Sequence, residues 1–143
     1  MTHIKTGFWS RIFLAAALFN FAIGIPIFFF PVWSYGLAYH TENPEVASTY
    51  RFWSDFGFTV IAIGIGYFLV SLDVTKNRGI VWLGIIGKLF DVLVLSYRYI
   101  IGIACLTVLF PAIVDGIFVV LFLLFLFRKT PGNSTRVKNT LNP

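Results

Sequence analysis

Residues 12–30, IFLAAALFNFAIGIPIFFF, run for nineteen positions without a charge. About 20 apolar residues in a helix cross the ~30 Å hydrocarbon core of a bilayer, so this stretch reads as a membrane span. Lys5 and Arg11 precede it, as basic residues precede the apolar part of a signal peptide. The apolar stretch is too long for that, and Phe28, Phe29, Phe30, Pro31 and Trp33 stand where the small residues of a cleavage site would be. A retained first helix over about residues 9–30 is therefore expected, with Pro26 near its end and Pro31 closing it.

The rest of the chain has the composition to match. Of 143 residues, 58% are hydrophobic and 12% charged, against about 45–50% and about 25% in soluble domains. A soluble fold of this size would leave many of its 17 Phe and 4 Trp in water as large apolar patches, whereas lipid accommodates them. The length suits one bundle and no second domain. The net charge of +5 comes from Lys and Arg gathered at the ends of apolar runs, with no interleaving of aromatic and basic residues. That pattern fits contact with anionic lipid and not with nucleic acid. Cys105, the only cysteine, excludes an intrachain disulfide and reads as a small buried hydrophobe.

Working outward, residues 31–51 are expected to be the one sizeable loop, holding His40, Glu42, Asn43, Pro44, Glu45 and Arg51. Trp33, Tyr35, Tyr39, Tyr50 and Trp53 flank it as interfacial aromatics do. A second span is expected over 52–72, then a short polar turn from Asp73 to Gly79, and a third span over 80–99. Residues 80–127 are too long for one crossing, so the chain must turn near 99–105 and cross again over 106–127, ending at Arg128 and Lys129. The expected organisation is thus a single four-helix transmembrane domain over 1–129 and a flexible polar cytoplasmic tail over 130–143. FWS occurs at 8–10 and again at 52–54, but the likeness stops there and marks no internal repeat.

Orientation follows from basic residues. With the N-terminus inside, the inner segments hold Lys5, Arg11, Lys76, Arg78, Arg128, Lys129, Arg136 and Lys138, and the outer ones Arg51 and Arg98. The bias predicts that both termini are cytoplasmic. Asn133-Ser134-Thr135 matches a glycosylation acceptor, but this topology puts it on the wrong side.

Ionisable groups at membrane depth are costly and need an explanation. Asp55 falls in the second span, Lys88 and Asp91 in the third and Asp115 in the fourth, with Arg51 and Arg98 at the outer boundary. Helical spacing orders them. Gly84, Lys88, Asp91, Leu95 and Arg98 share one face of the third helix. Arg51, Asp55, Thr59, Ala62 and Gly66 share one of the second, Thr107, Pro111 and Asp115 one of the fourth, and Ala16, Asn20 and Gly24 one of the first. Small residues let helices approach in lipid and polar ones bond across the seam, so these four stripes are expected to face inward. At 1.5 Å per residue Asp91 and Asp115 each lie roughly 12 Å from the outer end of their helices. Lys88 would lie about one turn deeper, and Asp55 nearer the outer surface. This describes an outward-opening polar pocket, closed below by apolar residues.

Blander readings stand beside it. Three Asp against Arg51, Lys88 and Arg98 make a neutral set that could simply fix helix order, and Lys88–Asp91 at i,i+3 could be an intrahelical pair. His3 and His40 are isolated, and with one cysteine they supply no transition-metal set. No Ser–His–Asp, Cys–His or HExxH arrangement can be assembled; paired carboxylates at equal depth could do acid–base work, which makes a membrane enzyme a third reading, but catalysis is not expected and no cofactor is implied.

Short motifs carry a resemblance. Phe19-Asn20, Ala22, Gly24 and Pro26 in the first helix, Gly64, Gly66 and Tyr67 in the second, Asn77-Arg78-Gly79, the run from Trp82 to Lys88, and Asp115 before a Phe/Leu-rich end resemble small four-helix bacterial inner-membrane proteins of the DoxX-like group. The resemblance covers about residues 10–128. It implies four helices and a bacterial inner membrane, and carries no reaction or ligand.

The expectation is a non-catalytic multi-pass membrane protein. Its pocket would bind a lipid or small amphipathic ligand, or handle protons, with Asp91 and Asp115 central, Lys88 at the base, Arg51 and Arg98 at the rim, and Asp55 and Asn20 beside them. The rival is an accessory or assembly subunit of a membrane complex whose buried charges only hold the fold. Membrane lipids are the expected partners, and a homo-oligomer or a larger membrane complex fits so small a bundle.

Overall fold

A computed structural model of the chain describes residues 2–39 and 47–128, with side chains from residue 7 in the first helix and from residue 48 in the third. His40, Glu42, Asn43, Pro44, Glu45 and everything from residue 129 onward, including Lys129, Arg136, Lys138 and the Asn133–Thr135 acceptor, lie outside the described residues. So do the side chains of His3 and Lys5.

The protein is an all-α, four-helix membrane bundle. The helices are α1 (Thr2–Phe29), α2 (Pro31–Ala38), α3 (Ala47–Leu72), α4 (Arg78–Ile100) and α5 (Leu109–Phe127), with a 3₁₀ turn at Leu106–Val108 leading into α5. Four segments are long and apolar enough to cross a bilayer: Gly7–Phe29, Ser48–Leu72, Arg78–Ile100 and Leu106–Phe127. Large apolar side chains such as Leu18, Phe58, Leu93 and Ile117 are exposed on the outer faces of all four, a surface suited to lipid and not to water.

The helices assemble as two tight pairs. In the first, α1 and α3 approach at glycines: a Cβ on Gly57 would lie 2.6 Å from the backbone nitrogen of Phe28, and one on Gly24 would lie 2.9 Å from the Gly57 carbonyl. Only hydrogen fits there, which is why backbones can touch in lipid. Polar side chains close the same seam. Ser54 Oγ donates to the Phe28 carbonyl at 3.0 Å, and Asn20 Nδ2 donates to the Val60 carbonyl at 3.2 Å. The second pair is α4 with α5.

At the end where α3 turns into α4, the pairs share a core. Phe13 stacks on Phe122 with centroids 4.8 Å apart, and Phe125 and Tyr67 meet the same rings edge-on. Phe13, Tyr67, Val70, Val81 and Phe122 are wholly buried. Ser10 Oγ donates to the Ser71 carbonyl at 2.5 Å, and Arg78 Nη2 donates to the Leu126 carbonyl at 2.6 Å. Arg128 lies 4.5 Å above the Phe125 ring, held below its ordinary pKa by burial and then by the nearby Arg78 charge. In the exposed turn, Asp73 accepts from the hydroxyl and amide of Thr75 and pairs with Lys76. These donors, the Thr75 hydroxyl first, hold its carboxyl down to about 2.

Two expectations need correction. The first is the loop over 31–51, which is helical at both ends, in α2 at its start and over 47–51 in α3 at its close. Pro31 sits in the opening turn of α2, where its fixed φ favours a helix and its missing N–H costs nothing. The second is the inward stripe of the second span. Arg51, Asp55, Thr59 and Ala62 are exposed, and α3 instead buries Gly57, Gly64, Tyr67 and Ser71. The glycine contacts with α1 set the rotation of α3, and Asp55, two residues from Gly57, is thereby carried about 200° around the helix from the seam. Thr59 Oγ1 bonds back to the Asp55 carbonyl at 3.0 Å.

At the opposite end, α4 stops at Ile100 and the chain reverses over 101–105 through Gly102, whose φ of +75° suits glycine. This reversal meets α2. Tyr39 forms a single antiparallel bridge with Ala104, and Cys105 N–H donates to the Ala38 carbonyl at 2.8 Å.

Candidate functional site

Between the aromatic core and the contacts of α2 with the 101–105 reversal, the helix pairs part around a cavity of about 310 Å³. Each of the five helices contributes to its wall. Phe19, Asn20, Ile23 and Pro26 come from α1, Trp33, Ser34 and Leu37 from α2, Trp53, Phe56, Ile63 and Tyr67 from α3. Gly87, Lys88, Asp91 and Leu95 come from α4, and Phe110, Pro111 and Asp115 from α5. The volume falls within the range of small-molecule sites, and the wall is mostly apolar with a few polar groups, as such sites are.

The polar groups gather near the middle of the spans. Lys88 is 5% exposed and Asp115 6%. Lys88 Nζ donates to Asp115 Oδ1 and, at 3.1 Å, to Asn20 Oδ1. The ammonium also lies over the rings of Phe118, Phe19 and Tyr67 at 5.3, 5.6 and 5.6 Å. Ring faces are negative and attract a cation, so these contacts add to the ion pair. With Asn20 donating to the Val60 carbonyl, the network joins α1, α3, α4 and α5. Lys88 thus pairs across to α5 rather than with Asp91 on its own helix.

Asp91 lies one turn beyond Lys88 toward the α2 end. It is half-buried and lines the cavity, and among the described residues it has no direct hydrogen-bond or ion-pair partner. Tyr67 is wholly buried, and its Oη has no hydrogen-bond partner among the described residues. The hydroxyl rests on Gly84, where any Cβ would collide with it.

At the α2 end the cavity is bordered by a polar latch. Trp53 Nε1 donates to Ser34 Oγ at 2.9 Å, and Thr107 Oγ1 donates to the Leu37 carbonyl. Arg98 Nη1 donates to Tyr39 Oη at 2.6 Å and stacks over the same ring. Tyr39 also packs edge-on against Trp53, centroids 5.6 Å apart.

Of the residues singled out in the sequence, Asn20, Lys88, Asp91 and Asp115 share this cavity. Arg98 lies outside it, on the latch. Arg51 and Asp55 are on the exposed face of α3 and do not reach it. Sequence reasoning missed Tyr67 and the α2 residues. Tyr67 lies three residues from Gly64 and ten from Gly57, a helical spacing that marks it as part of the glycine face. Pro31 was the signal for α2. Among the described residues, no three His, Cys, Asp or Glu side chains gather in a way that could hold a metal ion.

Comparison with family models, with curated proteins and with solved structures yields no match, so the site has to be interpreted from its own geometry.

Proposed function

We propose that this multi-pass membrane protein binds a small amphipathic molecule within the bilayer, its polar group at Asp91 and the Lys88–Asp115–Asn20 network and its apolar body toward α2. Both termini would be cytoplasmic, in a bacterial inner membrane. The supporting observation is the coincidence of an apolar cavity with a carboxyl group on its wall that has no direct partner among the described residues. A group needed only for packing is cheaper as an apolar residue, so an ionisable side chain kept at this depth speaks for use. Asp91 is also the group through which the site would handle protons.

One observation favours the rival reading, an accessory subunit with structural charges: the Lys88–Asp115 pair is satisfied by Asn20 and aromatic rings without help from any ligand. Gly87 separates the two readings. It lines the cavity, and a Cβ added there meets nothing within 4 Å. Gly87→Leu should therefore fill the cavity and leave the network intact. Native mass spectrometry of the purified protein should show a retained small molecule that Gly87→Leu loses while its melting temperature holds. A variant that retains the same molecule at the same occupancy would refute binding in this cavity.

A further inference from the structure

Acids outnumber bases on the cavity wall. Among the described residues that line it, the basic and carboxylic ones are Lys88, Asp91 and Asp115, one base against two acids. Lys88 is already met: Asp115 and Asn20 accept two hydrogen bonds from its ammonium, which also lies over three rings. Asp91 is left as an acceptor facing an apolar space, with no donor from the described residues. A carboxylate removed from water is costly until something positive or hydrogen-bonding meets it. With Asp91 and Asp115 both ionised the wall would carry one net negative charge and repel an anion, and a neutral ligand without donors would leave the Asp91 carboxylate unmet.

The rest of the wall is suited to the same sign. Trp33, Trp53, Phe56 and Phe110 are aromatic, and ring faces attract desolvated cations. The protein already uses three such faces to hold its own ammonium at the cavity's inner end. Trp33, Leu37 and Phe110 line the cavity and are exposed, so its wall is not closed by packing at these residues. An occupant entering from the bilayer would come from a phase in which molecules that are both cationic and apolar concentrate.

We infer that the ligand is a lipophilic cation, an apolar or aromatic body bearing an amine, quaternary ammonium or similar positive group, with Asp91 as its counter-charge. This rests on the ligand-binding reading above and narrows it to one chemical class.

The test uses the full chain in maltoside detergent with Trp9→Phe and Trp82→Phe, which leaves the cavity residues Trp33 and Trp53 as the fluorophores. Tetraphenylphosphonium and tetraphenylborate, alike in shape and opposite in charge, are titrated against it. The phosphonium should quench saturably and bind at least tenfold tighter than the borate. Asp91→Asn should weaken the phosphonium at least tenfold with an unchanged melting temperature, and Asp91→Glu should restore most of the loss. Equal or tighter binding of the borate, or no effect of Asp91→Asn in a folded variant, overturns the cation assignment. Binding that Gly87→Leu still blocks would in that case leave the cavity reading standing. If neither probe saturates and native mass spectrometry shows no retained molecule, both readings fall. If Asp91→Asn does not fold, the phosphonium–borate comparison on the native sequence decides alone.

Discussion

Lys88 holds its charge at mid-membrane because each of its surroundings accepts it: a carboxylate from α5, an amide oxygen from α1 and three ring faces. Breaking one half of such a pair leaves an uncompensated buried charge and typically costs about 3–5 kcal/mol, whereas replacing both halves with apolar groups of similar volume is often neutral. Lys88→Met alone should therefore destabilise the protein by about that amount, with Asp115 stranded. Lys88→Met with Asp115→Leu should recover most of it. Thermal or denaturant unfolding in detergent of the two singles and the double checks this. Losses that simply add in the double variant would show that the two side chains do not act as a pair. Asp91 belongs to a different class. With no direct partner among the described residues, Asp91→Asn should leave stability nearly unchanged, and its effect should appear in binding.

At the scale of the helices, glycine position decides orientation. Gly57 touches backbone across the α1–α3 seam, and Gly87 faces empty space. Alanine is the better helix former by about 1 kcal/mol, so Gly87→Ala should be neutral or stabilising. Gly57→Ala should instead destabilise by about 1–3 kcal/mol, since backbone must move to admit the methyl group. Comparing the two melting temperatures tests the seam, and equal tolerance of both would mean that α1 and α3 do not meet there. The same contrast explains what could be read from sequence. Apolar runs of span length, the first of them without a charge, revealed the four helices, and the spacing of Gly84, Lys88, Asp91 and Leu95 revealed one wall of the cavity, because polar residues on a lipid-facing helix have few places to go. The stripe from Arg51 to Gly66 misled, because Arg51 and Asp55 lie near the end of their span, where exposure is cheap, so polarity there carries no inward signal. Glycines at 57 and 64 carried it instead. The pairing of Lys88 with Asp115 depends on helix rotation across the bundle, which spacing within one helix does not determine.

The molecule as a whole is asymmetric along the membrane normal. One end carries Arg11, Lys76, Arg78 and Arg128, joined by the Arg78–Leu126 and Ser10–Ser71 bonds and packed over the aromatic core. The other carries Arg51, Arg98 and the α2 latch beside the cavity. Basic residues in short segments are retained on the cytoplasmic side, so the first end should face inward, which puts the latch at the outer leaflet. With Cys105→Ser as background, a single cysteine at Lys76 and another at Arg51 report the two ends, both being exposed in the fold. A membrane-impermeant maleimide added to intact bacterial cells should label position 51, and should reach position 76 only after lysis. The reverse pattern would invert the protein and give the cavity a cytoplasmic latch. Labelling of both positions in intact cells would mean that the chain inserts in two orientations. Because the latch borders the cavity at one end and the aromatic core closes the other, this orientation also decides from which side an occupant could leave the bilayer.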